Sequence, residues 1–227
     1  MSRGDEFGRS REESVALAPA AGFVEPAVAR EFPGLRLDWV TTATRPRPSP
    51  PALVRRLAAL SNRYRGATVV TMRTKPIPQA FRVFFRQIGL DPDVTRIPSE
   101  HAAVARLLHG GFRSTGLIAD ACLVSLIETG VAVWALDADR VAPGGLGIRT
   151  ATAEDLRIDA EPAPPVSVGS LAVADNAVLH APLFAPPAAG HQVTDRSTRA
   201  ALYSVGVPGV PAIHLEEALW ICVELLT

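Results

Sequence analysis

Apolar and polar positions change period several times along this chain, and each change marks an element. Leu35-Arg36-Leu37-Asp38-Trp39-Val40 alternates, which predicts a strand. Leu53, Leu57 and Leu60 recur at helical spacing after a proline pair. They predict a helix over 51–60, with Ser49 as its cap. Phe81, Phe84, Phe85 and Ile88 form a second helical stripe over 78–90, stopped at Gly89. Ser99-Glu100-His101 opens a third helix, with His101, Val104, Ala105 and Leu108 spaced along it and Gly110-Gly111 ending it. Residues 117–127 are an apolar run expected to begin extended and then turn helical. A short strand is expected before Asp137, another closing on Arg149, and a third over 197–205. Residues 170–187 read as strand, loop and strand. His214 to Leu226 fits a terminal helix with Leu215, Ala218, Leu219, Cys222 and Leu226 inward.

Short strands among a few helices predict one α+β domain, a β-sheet core flanked by helices, over residues 31–227. Residues 1–30 are expected to be a flexible extension. The first 14 are charged and aperiodic, and the rest are Ala- and Pro-rich and expected to drape over the fold. No internal repeat and no long Pro/Gly linker divides the chain.

The length of 227 residues allows a sizeable core. No apolar run approaches the roughly 20 residues of a membrane-spanning helix. The polar start MSRGDEFGRSREES lacks the apolar region of a signal peptide, so a cytoplasmic location is expected. Cys122 and Cys222 each sit among apolar residues and read as buried thiols. No metal-ligand spacing is present, and no metal or cofactor is expected.

Net charge is zero but unevenly spread. From Trp39 to Leu90 there is no acid, against ten basic residues. Arg63, Arg65, Arg73, Lys75 and Arg82 belong to that run and, with Arg149, are the candidate phosphate contacts. The alternative is that arginine simply stands for lysine on solvated faces, or pairs with acids elsewhere. Lys75 is the one lysine in the chain.

An ordered set of motifs extends to either side of the run Ile97 to Arg149. Ile77-Pro78-Gln79-Ala80-Phe81-Arg82 is followed by Arg96-Ile97-Pro98-Ser99-Glu100-His101-Ala102, Arg113-Ser114, Ala119-Asp120, Asp137-Ala138-Asp139-Arg140-Val141, Gly145-Leu146-Gly147-Ile148-Arg149 and Leu171-Ala172-Val173-Ala174-Asp175. In this order the chain resembles the B3/B4 domain of the phenylalanyl-tRNA synthetase beta chain, and more closely the free-standing proteins built from that domain, between about Pro76 and Pro211. The resemblance implies a B3/B4-like sheet core of unusual topology. It also implies hydrolysis of a mischarged aminoacyl-tRNA, with tRNA or aminoacyl-tRNA as partner.

Several pocket positions depart from the synthetase pattern. Trp134 stands where its editing pocket has a histidine, and Leu123 replaces an asparagine. Thr115-Gly116 replaces an Ile-Asn or Ile-Asp pair, and Ala185 to Gly190 replaces the loop that carries an editing glutamate. Asp120, His191 and Thr198 are the catalytic candidates, with His191 preferred among histidines for its place in that loop region. Trp134, Ser125, Asp137, Thr194 and Asp195 are the substrate-binding candidates. Asp120 has a plainer role available, satisfying buried N–H groups, and Asp137 one as a turn former. No Gly-x-Ser-x-Gly and no Cys/His pair is present. An aminoacyl ester is already activated, so a positioned water and oxyanion donors suffice. A trans-editing deacylase is therefore expected, and a non-catalytic tRNA- or amino-acid-binding module is the alternative.

Overall fold

The computed structural model describes residues 18–64, 66–155 and 166–227. Its elements run β1 (Ala20–Ala21), β2 (Phe23–Val24), α1 (Pro26–Glu31), β3 (Arg36–Ala43), α2 (Pro51–Arg63), α3 (Gly66–Thr71), α4 (Pro76–Gln87), α5 (Pro98–His109) and α6 (Leu117–Thr129). They continue β4 (Val133–Asp137), β5 (Gly147–Thr150), β6 (Leu171–Ala174), β7 (Leu179–Pro182), β8 (Arg199–Gly206) and α7 (Ala212–Leu226). The protein is a mixed α+β structure with two sheets. One is antiparallel in the order β1-β3-β8-β4. The other has the order β2-β5-β6-β7, with β2 parallel to β5 and the remaining pairs antiparallel.

β8 lies between β3 and β4, and every residue from Ala200 to Gly206 is buried. A central strand covered on both faces reads as a continuous apolar run. One hydrophobic cluster joins both sheets to α2, α4, α6 and α7. α7 turns inward the five residues its spacing predicts. α2 buries Leu53, Leu57 and Leu60 as expected. Its cap is Pro50, however, with no side-chain hydrogen bond, so Ser49 is free to bond elsewhere. α4 starts two residues earlier than expected, at Pro76, where a proline costs nothing because the first N–H has no helical partner.

The two sheets touch where β3 meets the turn before β5. A Cβ on Gly145 would lie 2.7 Å from the Trp39 ring, so only glycine fits there.

Three expectations change. Residues 20–31 are not a flexible extension: Ala20 pairs with Trp39, Phe23 pairs with Gly147, and Val28 is buried. The Glu25 carboxylate fastens this segment by accepting from Thr150 N and Oγ1. Residues 1–17 lie outside the described residues. α5 is rotated from its expected face. Ser99, Glu100, Ala102 and Ala103 are buried, while His101 and Leu108 face out. The physical reason is an ion pair: Arg82, itself buried, pairs with Glu100 at 2.9 Å and draws that side of α5 inward. Residues 117–129 are helical throughout, since an apolar run of that length fits either element and the hydrogen bonds of Asp120 fix the first turn as helix.

Within 170–187 the strands are β6 and β7, joined by a turn on Asp175, whose carboxylate accepts from Ala177 N and Val178 N at 2.7 Å. Among the described residues, no helix is long and apolar enough to cross a membrane.

Candidate functional site

A cleft of about 930 Å³ opens where α6 begins. One wall is the proline-rich connector, with Pro46, Arg47, Pro48 and Ser49. The second is the start of α6, from Ser114 to Ala119, with Cys122 one turn on. The third is the free side of β4, with Val133, Trp134 and Ala135. The loop before β8 closes the fourth side with Pro186, Pro187, Gln192, Val193 and Asp195. This loop is attached to β4 by a bridge between Leu136 and Gln192.

Trp134 lines the cleft and does not fill it. Its ring stacks on Tyr203 of β8, with centroids 5.5 Å apart. Phe184 lies near it, with ring centroids 6.4 Å apart. Phe184 also meets Phe81, Phe84 and Phe85 of α4, which ties the aromatic stripe of α4 to the cleft. Phe184 has φ of 62°, the one positive φ outside glycine among the described residues. A bulky residue there carries strain, held by its four aromatic neighbours.

Asp120 lies behind the wall. It is fully buried, and its carboxylate accepts from Ser49 Oγ at 2.5 Å, Ser114 Oγ at 2.5 Å and Thr115 N at 2.9 Å. These bonds join the connector, the Arg113-Ser114 turn and the first turn of α6. Asp120 therefore does not face the cleft, but Ser49, Ser114 and Thr115 do. Each hydroxyl donates inward to the carboxylate, which leaves its oxygen lone pairs for a donor in the cleft.

A second polar cluster is built partly on the loop of the fourth wall. His180 Nδ1 and His191 Nδ1 are 2.8 Å apart, and His180 Nε2 is 3.1 Å from Asp175 Oδ2. Asp175 and His180 are buried, and His191 is half-buried. Burial pushes the His180 imidazole below its ordinary value, against the opposing pull of Asp175. His191 is also lowered, by burial and then by His180 and Arg140. Burial alone would raise Asp175, but the N–H groups of Val178, Ala142 and Ala177 outweigh it and hold the acid below its usual range. His191 does not line the cleft, although its neighbours Gln192 and Val193 do.

The other expected site residues divide clearly. Trp134 and Asp195 line the cleft. Ser125 does not: it is buried under α7 and donates to Ala218 O at 2.8 Å. Asp137 is a turn former, accepting from Ser197 Oγ and Asp139 N. Thr194 belongs to the same turn, bonded to Ser197. Thr198 is exposed and does not line the cleft.

The basic candidates also divide. Arg82 is no surface contact; it is buried against Glu100 and Asp93. Arg149 is held by Asp155 at 2.6 Å, and this guanidinium keeps the Asp155 carboxyl well below the usual range. Arg73 shares Asp93 and Glu100 with Arg82. Arg63 and Lys75 are exposed, and Arg65 lies outside the described residues. Sequence reasoning did not single out as contacts Arg47, which lines the cleft, or Arg113 and Arg196, exposed beside cleft-lining residues. It also passed over Ser49, Ser114 and the pairing of His180 with His191. Contacts across 71 and 11 residues leave no local pattern.

Cys122 and Cys222 are free thiols; burial pushes the Cys222 thiol up, with Cys122 as a neighbour. Among the described residues, no group of three His, Cys, Asp or Glu side chains is placed to hold a metal ion. No family model and no curated protein matches the chain.

Proposed function

We propose that the chain is a free-standing B3/B4-type protein that hydrolyses the ester of a mischarged aminoacyl-tRNA, with the aminoacyl end in the cleft. The observation that carries this reading is the composition of the cleft walls. Trp134, Leu117, Ile118 and Val133 offer an apolar surface for a side chain. The Ser49 and Ser114 oxygens, backed by the buried Asp120 carboxylate, suit an α-ammonium group. α6 has no side-chain cap, and Leu117 N donates to Arg47 O, which leaves the N–H groups of Ile118 and Ala119 without a partner among the described residues and suited to an oxyanion. The wall position of Arg47, with Arg113 and Arg196 next in sequence to other wall residues, suits the phosphates of a tRNA end. A cytoplasmic location goes with such a substrate.

A second reading is a tRNA- or amino-acid-binding module without turnover. It is favoured by one observation: among the described residues no histidine lines the cleft, and both serine hydroxyls are engaged by Asp120.

A panel of mischarged tRNAs separates the two. Deacylation of one noncognate aminoacyl-tRNA well above the spontaneous rate is expected, with the amino-acid preference altered by Trp134→Ala. Salt-sensitive tRNA binding without turnover of any member overturns the deacylase and leaves the binding module. Absence of both overturns the deacylase and the tRNA-binding module.

A further inference from the structure

The histidine pair has a fixed direction for its protons. Asp175 is already committed as an acceptor: Oδ1 takes Ala177 N and Val178 N, and Oδ2 takes Ala142 N. His180 Nε2, 3.1 Å from Oδ2, must therefore carry the proton and donate. A neutral His180 then has a lone pair on Nδ1. Only a donor satisfies it, so the Nδ1 of His191, 2.8 Å away, carries the proton of that second ring. What remains is Nε2 of His191. It has no hydrogen-bond partner among the described residues, and it is not sealed off by burial. The chain of bonds thus runs from a buried carboxylate, through a buried imidazole, to a reachable lone pair.

We propose that Asp175, His180 and His191 form a hydrogen-bonded relay in which His191 Nε2 is a general base for ester hydrolysis beside the loop that forms the fourth wall of the cleft. This rests on the deacylase reading for its natural substrate, an acyl ester of a ribose hydroxyl. The site itself is chemically broader and accepts any activated ester that reaches Nε2. In the step, Nε2 takes a proton from water as the water oxygen bonds to the acyl carbon. The tetrahedral intermediate then collapses, the carbon–oxygen ester bond breaks, and the leaving oxygen takes the proton back from Nε2. His191 can carry that proton without disturbing its neighbours, because its Nδ1–H donates to His180 in either state. His180 cannot take a second proton without facing two N–H groups at each other across 2.8 Å. His180 and Asp175 are positioning residues, and His191 is the group that touches the reacting water. The charged groups acting on the pair are Asp175, Arg140 and Arg149; Asp175 favours protonation and the two arginines oppose it.

Two measurements on the full chain test this. Long-range 1H–15N spectra of histidine-labelled protein should show His180 as the Nε2–H tautomer, not titrating. They should show His191 as the Nδ1–H tautomer, titrating alone. An Nε2–H tautomer at His191 overturns the relay. Hydrolysis of p-nitrophenyl acetate should fall about a hundredfold in His191→Ala, the size expected for loss of a general base. His180→Phe should move the pH midpoint of the remaining rate, which a purely structural role would not do. An unchanged rate and pH profile in His191→Ala overturns the base even if the tautomers are as stated. The mischarged-tRNA panel is decided separately. Turnover of tRNA that survives His191→Ala keeps the deacylase reading and removes the base. Loss of p-nitrophenyl acetate hydrolysis in His191→Ala, with no tRNA turnover in the parent, keeps the relay and removes the deacylase.

Discussion

The Ser49 hydroxyl donates to the Asp120 carboxylate at 2.5 Å, joining a proline-rich connector to a helix 71 residues later. Ser114 and Thr115 complete the carboxylate, so this acid fixes three segments of the cleft wall. Removing it unties those segments and releases their donors to the open cleft. Asp120→Ala should destabilise the protein by about 1–3 kcal/mol, the order of the charge-assisted hydrogen bonds it removes. Ser49→Ala and Ser114→Ala should be milder and non-additive, because they share one acceptor oxygen. Urea unfolding of the single and double variants measures this. Loss of activity in Asp120→Ala without loss of stability would contradict a purely structural Asp120.

Arg82 and Glu100 are both buried, and their bond at 2.9 Å sets the face of α5. Arg82→Ala leaves the buried Glu100 with only the longer Arg73 contact at 3.5 Å, and should cost about 3 kcal/mol, the lower end for a broken buried pair. Replacing both partners by apolar residues should cost much less, since no buried charge is left alone. Thermal unfolding of the three variants checks this. An Arg82→Ala protein of parental stability would show that the pair does not form in solution.

Phosphate binding should follow exposed arginines at the cleft and not the buried ones. Arg47→Ala is expected to reduce the slope of log affinity against log salt by about one, the effect of a side chain that neutralises a single phosphate. Arg149, tied to Asp155, should leave the slope unchanged when replaced by methionine. Filter binding of tRNA across a salt series measures both. Equal effects at Arg47 and Arg149 would place the nucleic-acid face elsewhere.

His180 and His191 are both held below the ordinary histidine value, first by burial. A lowered folded value means that the unfolded chain binds protons more readily. The stability contributed by the pair is therefore complete above about pH 6.5 and is lost as pH falls from there through the folded values. Tm should decline below that pH, and the decline should be shallower in His191→Ala. A Tm flat from pH 7 to pH 5 in the parent would contradict the pair as described.

Local spacing was enough to specify α2, α4 and α7 and their inner faces. Leu53, Leu57 and Leu60, the phenylalanines of α4, and the five inward residues of α7 needed no long-range information, because a helix repeats its face within a few residues. The strand at Leu37 to Val40 was equally legible from alternation. The helical start of α6 and the outward turn of Leu108 were not legible. Both depend on partners distant in sequence, Asp120 on Ser49 and Arg82 on Glu100. Composition placed ten basic residues in one acid-free run, but it took the folded chain to separate the buried Arg82 from the exposed arginines and to show which of them pair with acids. The same holds for the cleft. Trp134 and Asp195 were named from sequence, yet their meeting with Arg47, Ser49 and Ser114 is a property of packing. Local periodicity records which face of an element avoids water. It carries no record of which polar side chain, tens of residues away, satisfies a buried charge, and that satisfaction shaped this site.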